Sequence, residues 1–178
     1  MTIETATLAG GCFWCLEAVF VRLQGVESVT SGYCGGHIPH PSYEAVCSEE
    51  TGHAEAVQIR FDPDVISYTD LLDVFFAIHD PTTPDQQGND IGNQYRSVIF
   101  THDAQQEKIA RSTIAALEAA SIFPEKIVTH IQTAEPFYPA ETEHQNYYAL
   151  HPRQAYCQWV IAPKLEKLAH LFAYLSHG

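Results

Sequence analysis

Cys12 and Cys15 stand three residues apart in Gly10-Gly11-Cys12-Phe13-Trp14-Cys15-Leu16-Glu17, where a helix should begin. Three chemistries fit. A C-x-x-C spacing suits a redox dithiol or half of a zinc site. A single cysteine at a helix N-terminus suits a nucleophile, because the free N–H groups there favour thiolate over thiol. Plain burial in the core is the commoner fate of a cysteine. The Gly-Gly turn favours a site at Cys12, since it admits close backbone approach to a ligand and keeps Cys12 off the packed helix face. Phe13 opens an apolar helical stripe with Leu16, Phe20 and Leu23 and so also suits the core. Trp14 lies off that stripe. Together the two aromatics can enclose an apolar group such as a methyl beside the sulfur and keep water away. Zinc would need two further ligands from Cys34, Cys47 or the histidines. No second C-x-x-C exists, and aromatics between the ligands would crowd a metal.

The acid that could work with such a thiol is Glu55. In the alternating run Ala54 to Phe61 it shares strand parity with Val57, Ile59 and Phe61. If that face is buried, desolvation raises the carboxyl pKa and keeps a proton available for general-acid catalysis. A strand-end glutamate in solvent is the plainer alternative. The loop Gln87 to Tyr95 holds many hydrogen-bonding groups around two glycines. Turn chemistry accounts for Gly88, Asn89 and Gly92, whereas Asp90 and Tyr95 can reach into a site, as can Tyr43 in an earlier loop. His53, His79 and His144 fit packing or capping roles.

These residues need a scaffold. Strands are expected at Thr5–Ala9, Val26–Ser31, Ala54–Phe61, Tyr95–Thr101 and Ile127–Thr133. Helices are expected at Cys12–Gln24, from Ser67 to His79, from Asp103 through Ala120, at Glu141–Leu150 and after Pro163. Residues 32–52 and 82–94 read as long loops, which in a compact domain are usually functional. Strands alternating with helices give an α/β (α+β layered) single domain, a mixed β-sheet flanked by helices.

The 178 residues suit one domain. The net charge of −13 argues against nucleic acid and anionic membranes as partners. No apolar run approaches the ~20 residues of a membrane span, and the opening residues lack a basic n-region and a long apolar stretch. The expected compartment is therefore a reducing cytosol. There five cysteines (Cys12, Cys15, Cys34, Cys47 and Cys157) suit burial, catalysis or metal binding better than structural disulfides.

Several stretches together resemble one family, the A-type peptide methionine sulfoxide reductases. They are GCFW at 11–14, GHAE at 52–55, HDP at 79–81, QGND and QYRS within 87–97, FYPAE at 137–141 and HQNYY at 144–148, in order along nearly the whole chain. The resemblance implies a ferredoxin-like core. It implies that Cys12 attacks the sulfoxide sulfur, that Phe13 and Trp14 hold the methyl group, and that Glu55 protonates or hydrogen-bonds the oxygen. Tyr43, Asp90 and Tyr95 would help bind that oxygen. The product is methionine and a sulfenic acid on Cys12, which a second thiol condenses to a disulfide and an external dithiol, thioredoxin, reopens. The resemblance further implies selectivity for the S epimer, no bound cofactor or metal, and a monomer. For the resolving thiol it points to a C-terminal cysteine, here Cys157, which is favoured over Cys15 because closing a Cys12–Cys15 bridge at a helix start would turn Cys15 back past the aromatic pair; Cys34 and Cys47 have a weaker claim, and direct attack by thioredoxin or a small thiol on the sulfenic acid is a third route. Two other readings of the cysteines stay open: a general thiol-disulfide oxidoreductase using Cys12 and Cys15, and a zinc-binding interaction module.

Overall fold

A computed structural model describes residues 2–176. Strand β1 (Glu4–Ala9) leads through the Gly10-Gly11 turn into helix α1 (Phe13–Phe20). Strand β2 (Val26–Cys34), the short helix α2 (Tyr43–Cys47), strand β3 (Ala54–Phe61) and helix α3 (Tyr68–Ile78) follow. A two-stranded ribbon, β4 (Gln86–Gln87) with β5 (Asp90–Ile91), precedes β6 (Val98–Thr101), helix α4 (Ala104–Ala119), β7 (His130–Thr133) and β8 (Tyr138–Pro139). The chain ends with α5 (Tyr147–Leu150), a π-helical turn at Cys157–Ile161, α6 (Ala162–Leu171) and a short 3-10 turn.

The main sheet runs β7-β6-β1-β3-β2-β8. Among the described residues only the β6–β7 pair of this sheet is parallel; β1 and β3, β1 and β6, β2 and β3, and β2 and β8 run antiparallel. Its four central strands, β6-β1-β3-β2, connected β-α-β-β-α-β, make the ferredoxin-like core that the sequence resemblance implies. The mixed sheet with flanking helices is the layered α/β domain expected.

Parity decides which face each strand residue takes. Ala6, Leu8, Val57, Ile59 and Phe61 join α1 and α3 in the main core. Ala54, Ala56, Val98 and Phe100 form a smaller cluster on the opposite face with Ala9 and Cys34. At ~25 cal/mol per Å² of apolar area, this two-sided burial drives the fold. Helix α3 starts as its capping box predicts: Asp70 N–H donates to Ser67 Oγ at 3.0 Å, and Ser67 N–H to the Asp70 carboxylate at 3.1 Å.

The differences from the sequence reading fall in the loops. β2 runs on to Cys34 because Gly32–Cys34 pair with Ala54–Ala56. Residues 43–47 make a helix capped by Ser42, whose Oγ accepts from Ala45 N–H at 3.1 Å. Residues 86–91 form the small ribbon. The helix expected over 141–150 breaks at Asn146, which is left-handed at φ 56°. Expected strands 95–101 and 127–133 begin only at Val98 and His130. Among the described residues, no helix is long and apolar enough to cross a membrane.

Candidate active site

The Gly-Gly turn sets the geometry. A side chain at Gly10 would stand 2.9 Å from His79 and Phe75, and Gly11 takes φ +89°, so neither position tolerates a larger residue without strain. Cys12 is then the extended N-cap of α1, at φ −66° and ψ 130°. As expected, it sits at the turn and not on the packed stripe. It is nonetheless buried, 7% exposed.

Phe13 N–H, one of the free donors of the first helical turn, points across to β3 and donates to Glu55 Oε1 at 3.1 Å. Glu55 is fully buried on the face it shares with Val57, Ile59 and Phe61. Its other oxygen, Oε2, has no hydrogen-bond partner among the described residues. Burial above all pushes this carboxyl up to about 8; the Phe13 N–H pulls it back, and the nearby charges of Asp90 and Cys15 raise it further. A protonated carboxyl with one free oxygen thus stands against the turn that carries Cys12.

Around it the predicted residues converge. Tyr43 opens α2, and its ring lies 6.3 Å from that of Phe13. Tyr95 closes a 3-10 turn, with its carbonyl accepting from Gly11 N–H at 3.3 Å. Burial, then the Glu55 charge, raises the hydroxyl pKa of both tyrosines, so both stay protonated donors. Arg96 ties this loop to the GHAE segment by donating to Gly52 C=O at 2.8 Å. Asp90 sits at the ribbon turn, where its carboxylate accepts from Tyr156 O–H at 2.7 Å.

The aromatic pair divides its tasks. Phe13 is fully buried against Tyr33, Tyr43 and His144. Trp14 stacks on Tyr147, centroids 3.7 Å apart and planes within 5°, and donates its Nε1–H to His144 Nδ1 at 3.3 Å. Neither ring separates Cys12 from Cys15. Both cysteines instead line one cleft of about 450 Å³ with Asp90, Tyr156, Trp159 and Lys164.

The electrostatics of the two thiols reverse the expectation from helix position. Burial is the largest influence on Cys12 and raises its thiol well above the ordinary value; the helix-start N–H of Trp14 opposes it only weakly. Cys15 is the one lowered, to about 7, chiefly by its interaction with the Cys12 thiol, with help from Lys164 and Tyr156 against its own burial. Cys157 has no exposed surface and packs in the main core, one residue from Tyr156. Among the described residues, the group of three metal-ligand side chains that converges is Glu141, Glu143 and His144, with no cysteine in it. Glu141 is already occupied, accepting from Tyr33 O–H at 2.9 Å and from Tyr43 N–H at 3.0 Å.

Sequence reasoning missed four supports. Tyr156 lies beyond the ribbon it contacts, and Tyr147 and Glu141 act from an irregular segment. Glu17 looks like a solubilising helix residue. It is buried, and its carboxylate accepts Asn146 N–H at 2.9 and 3.0 Å and Ser31 O–H at 3.3 Å. The cue was available in GCFWCLE, where residue 17 falls one turn after Phe13. His79 is a neutral packing residue, its pKa lowered to about 4 by burial, and His53 holds the loop by bonds to Ile38 C=O and Gly36 N–H.

The family model for peptide methionine sulfoxide reductase matches residues 4–174. The chain belongs to this family. It is 57% identical over 171 residues to the peptide methionine sulfoxide reductase MsrA of Polynucleobacter asymbioticus, covering 96% of this chain and 90% of that protein. It is 54% identical over 172 residues to that of Thermus thermophilus, covering 97% of each. Among solved structures, reduced Mxr1 from Saccharomyces cerevisiae superposes with a TM-score of 0.77 at 35% identity, over 87% of this chain and 89% of that one. Methionine sulfoxide reductase A of Corynebacterium diphtheriae gives 0.75 at 32% identity, over 85% and 76%.

Proposed function

We propose that this chain reduces methionine S-sulfoxide, free or in proteins, to methionine. The observation that carries the reading is Glu55, a buried carboxyl held by Phe13 N–H on one oxygen and left open on the other, beside Cys12. A sulfoxide oxygen leaves poorly until it is protonated, so a nucleophile alone is not enough. Cys12 sulfur attacks the sulfoxide sulfur. The oxygen takes the Glu55 proton and passes to Cys12, and the Cys12 thiol proton replaces the one that Glu55 gave up. The substrate sulfur gains two electrons and Cys12 loses two, becoming a sulfenic acid.

Half-buried Trp14, backed by the fully buried Phe13, gives the apolar side for the methyl group, while Tyr43, Tyr95 and Asp90 belong to the oxygen side. Separate places for methyl and oxygen favour one epimer. Condensation of the sulfenic acid with a second thiol gives a disulfide, and a thioredoxin reopens it by exchange. Support for that reductant comes from yeast Mxr1, whose structure in complex with Trx2 aligns with this chain at a TM-score of 0.54 and 27% identity. The test is stoichiometric: reduced protein alone, without added dithiol, should convert about one equivalent of methionine S-sulfoxide and leave the R epimer. Absence of methionine would end the reading.

The lowered Cys15 thiol also fits a general thiol-disulfide oxidoreductase. That alternative predicts insulin disulfide reduction that is indifferent to Glu55→Ala.

A further inference from the structure

The reaction above, on which this inference rests, leaves a sulfenic acid on Cys12 and requires a partner thiol. We propose that Cys15 is that resolving thiol, and that Tyr156 is the positioning residue that holds it toward Cys12. The step balances as Cys12–S–OH plus Cys15–SH giving the Cys12–Cys15 disulfide and one water. The S–O bond breaks, the S–S bond forms, and the Cys15 proton leaves with the hydroxyl. Cys15 is oxidised as the sulfenic sulfur is reduced.

Three features of the geometry carry this. Cys15 N–H donates to Cys12 C=O at 3.1 Å, so the two residues close one helical turn. Cα atoms three residues apart on a helical turn stand about 5 Å from each other, within the Cα separations of about 4.4–6.8 Å that disulfides span. Next, the obstacle expected from the sequence is absent: Phe13 turns into the core and Trp14 onto Tyr147, while Cys12 and Cys15 line one cleft together. Finally, Tyr156 Oη lies 3.5 Å from Cys15 Sγ while its proton is given to Asp90 at 2.7 Å. The hydroxyl has one proton and two acceptors. As drawn, it leaves its oxygen to receive the Cys15 S–H; turned, it donates to the Cys15 thiolate.

Cys157, which the family resemblance favours, is less well placed. It is as buried in the core as Cys15, but unlike Cys15 it does not line the cleft that Cys12 lines. The Cys12–Cys15 bridge would form facing Gly88, Asn89, Trp159 and Lys164, and Trp159 is 80% exposed.

The groups facing Cys15 are Cys12 from the turn, Glu55 from β3, Asp90 from the ribbon, Tyr156 and Cys157 from the π-helical segment, and Lys164 from α6. Without the Tyr156 hydroxyl the thiolate loses one donor. Tyr156→Phe should therefore shift the pH midpoint of disulfide closure upward and slow closure at pH 7 by about tenfold. A merely structural role would leave that midpoint in place.

The deciding experiment uses the full chain. Reduced protein is mixed with one equivalent of methionine sulfoxide without reductant, alkylated, digested with trypsin and mapped without reduction. The first Lys or Arg is Arg22, so a Cys12–Cys15 bridge appears as one peptide, residues 1–22, two hydrogens lighter than its dithiol form and unalkylated. Cys157, in residues 154–164, should be alkylated. A cross-link between those peptides, or a persistent Cys12 sulfenic acid in the wild type, would overturn the proposal. Methionine is measured in the same sample. Its absence would instead refute the sulfoxide reaction, so the two failures are distinguishable. As a second arm, Cys15→Ser should still release one methionine but leave a sulfenic acid trappable by a 1,3-diketone. Wild-type turnover of Cys15→Ser with thioredoxin would also overturn the assignment.

Discussion

Two walls meet at Cys12, and they are built differently. The inner wall is β3 and α1, where sheet register and helix packing fix Glu55 and Phe13 with no exposed surface. The outer wall is the irregular chain from residue 134 onward. It carries His144, Tyr147 and Tyr156 on short turns, held by bonds from Asn146 N–H to Glu17, from Tyr33 O–H to Glu141 and from Tyr156 O–H to Asp90. The inner wall is where a proton is held in a dry environment, which raises its pKa and makes it transferable. The outer wall supplies aromatic surface and an opening for substrate and reductant. Chemistry needing a fixed pKa sits on the rigid part, and recognition sits on the part with fewer regular bonds.

Breaking each wall should give different signatures. Cys12→Ser should abolish sulfoxide reduction altogether, at least about a thousandfold in single-turnover methionine release, because the serine hydroxyl is a poor nucleophile at neutral pH. Next comes the inner wall. Glu55→Ala removes the acid and should lower kcat/KM by about 10²–10³-fold, whereas Glu55→Gln, which still donates a hydrogen bond, should retain more activity. Equal activity of the Ala variant and wild type would remove Glu55 from that role.

The outer wall should respond mainly through stability and binding. Glu17→Ala orphans Asn146 N–H and Ser31 O–H, and should cost about 1–3 kcal/mol in chemical denaturation, with KM for methionine sulfoxide rising more than kcat falls. An unchanged midpoint would mean that the 144–147 segment is held by something else. The smallest effect is expected at Tyr147. Removing its ring with Tyr147→Ala takes the stacked face off Trp14, worth about 0.5–1.5 kcal/mol, and should raise KM a few-fold with kcat little changed.

The same contrast explains what was legible in the sequence. Glu55 could be read because strand alternation is strict: its parity with Val57, Ile59 and Phe61 put it on the core face. The α3 capping box could be read because its residues are local in sequence. Tyr156 could not, since its partner Asp90 is 66 residues away and no periodic pattern links a ribbon turn to a π-helical turn. The helix expected over 141–150 failed for a tertiary reason. The Glu17 carboxylate captures Asn146 N–H, and Asn146 turns left-handed. Position at a helix start suggested a depressed Cys12 pKa, but burial outweighs the helix end and reverses the direction. Periodicity describes an element's own faces; it carries no distance between elements.

The central claim is that a protonated Glu55 delivers the proton that makes the sulfoxide oxygen leave. It is tested most directly by the pH dependence of single-turnover methionine release in wild type and Glu55→Gln. With the carboxyl raised to about 8, the acid is loaded below that pH and lost above it. Wild-type rates should therefore fall about tenfold per pH unit above about 8, and Glu55→Gln should lack that limb while running slower throughout. The same alkaline limb in Glu55→Gln would contradict the account, because the proton would then come from another group.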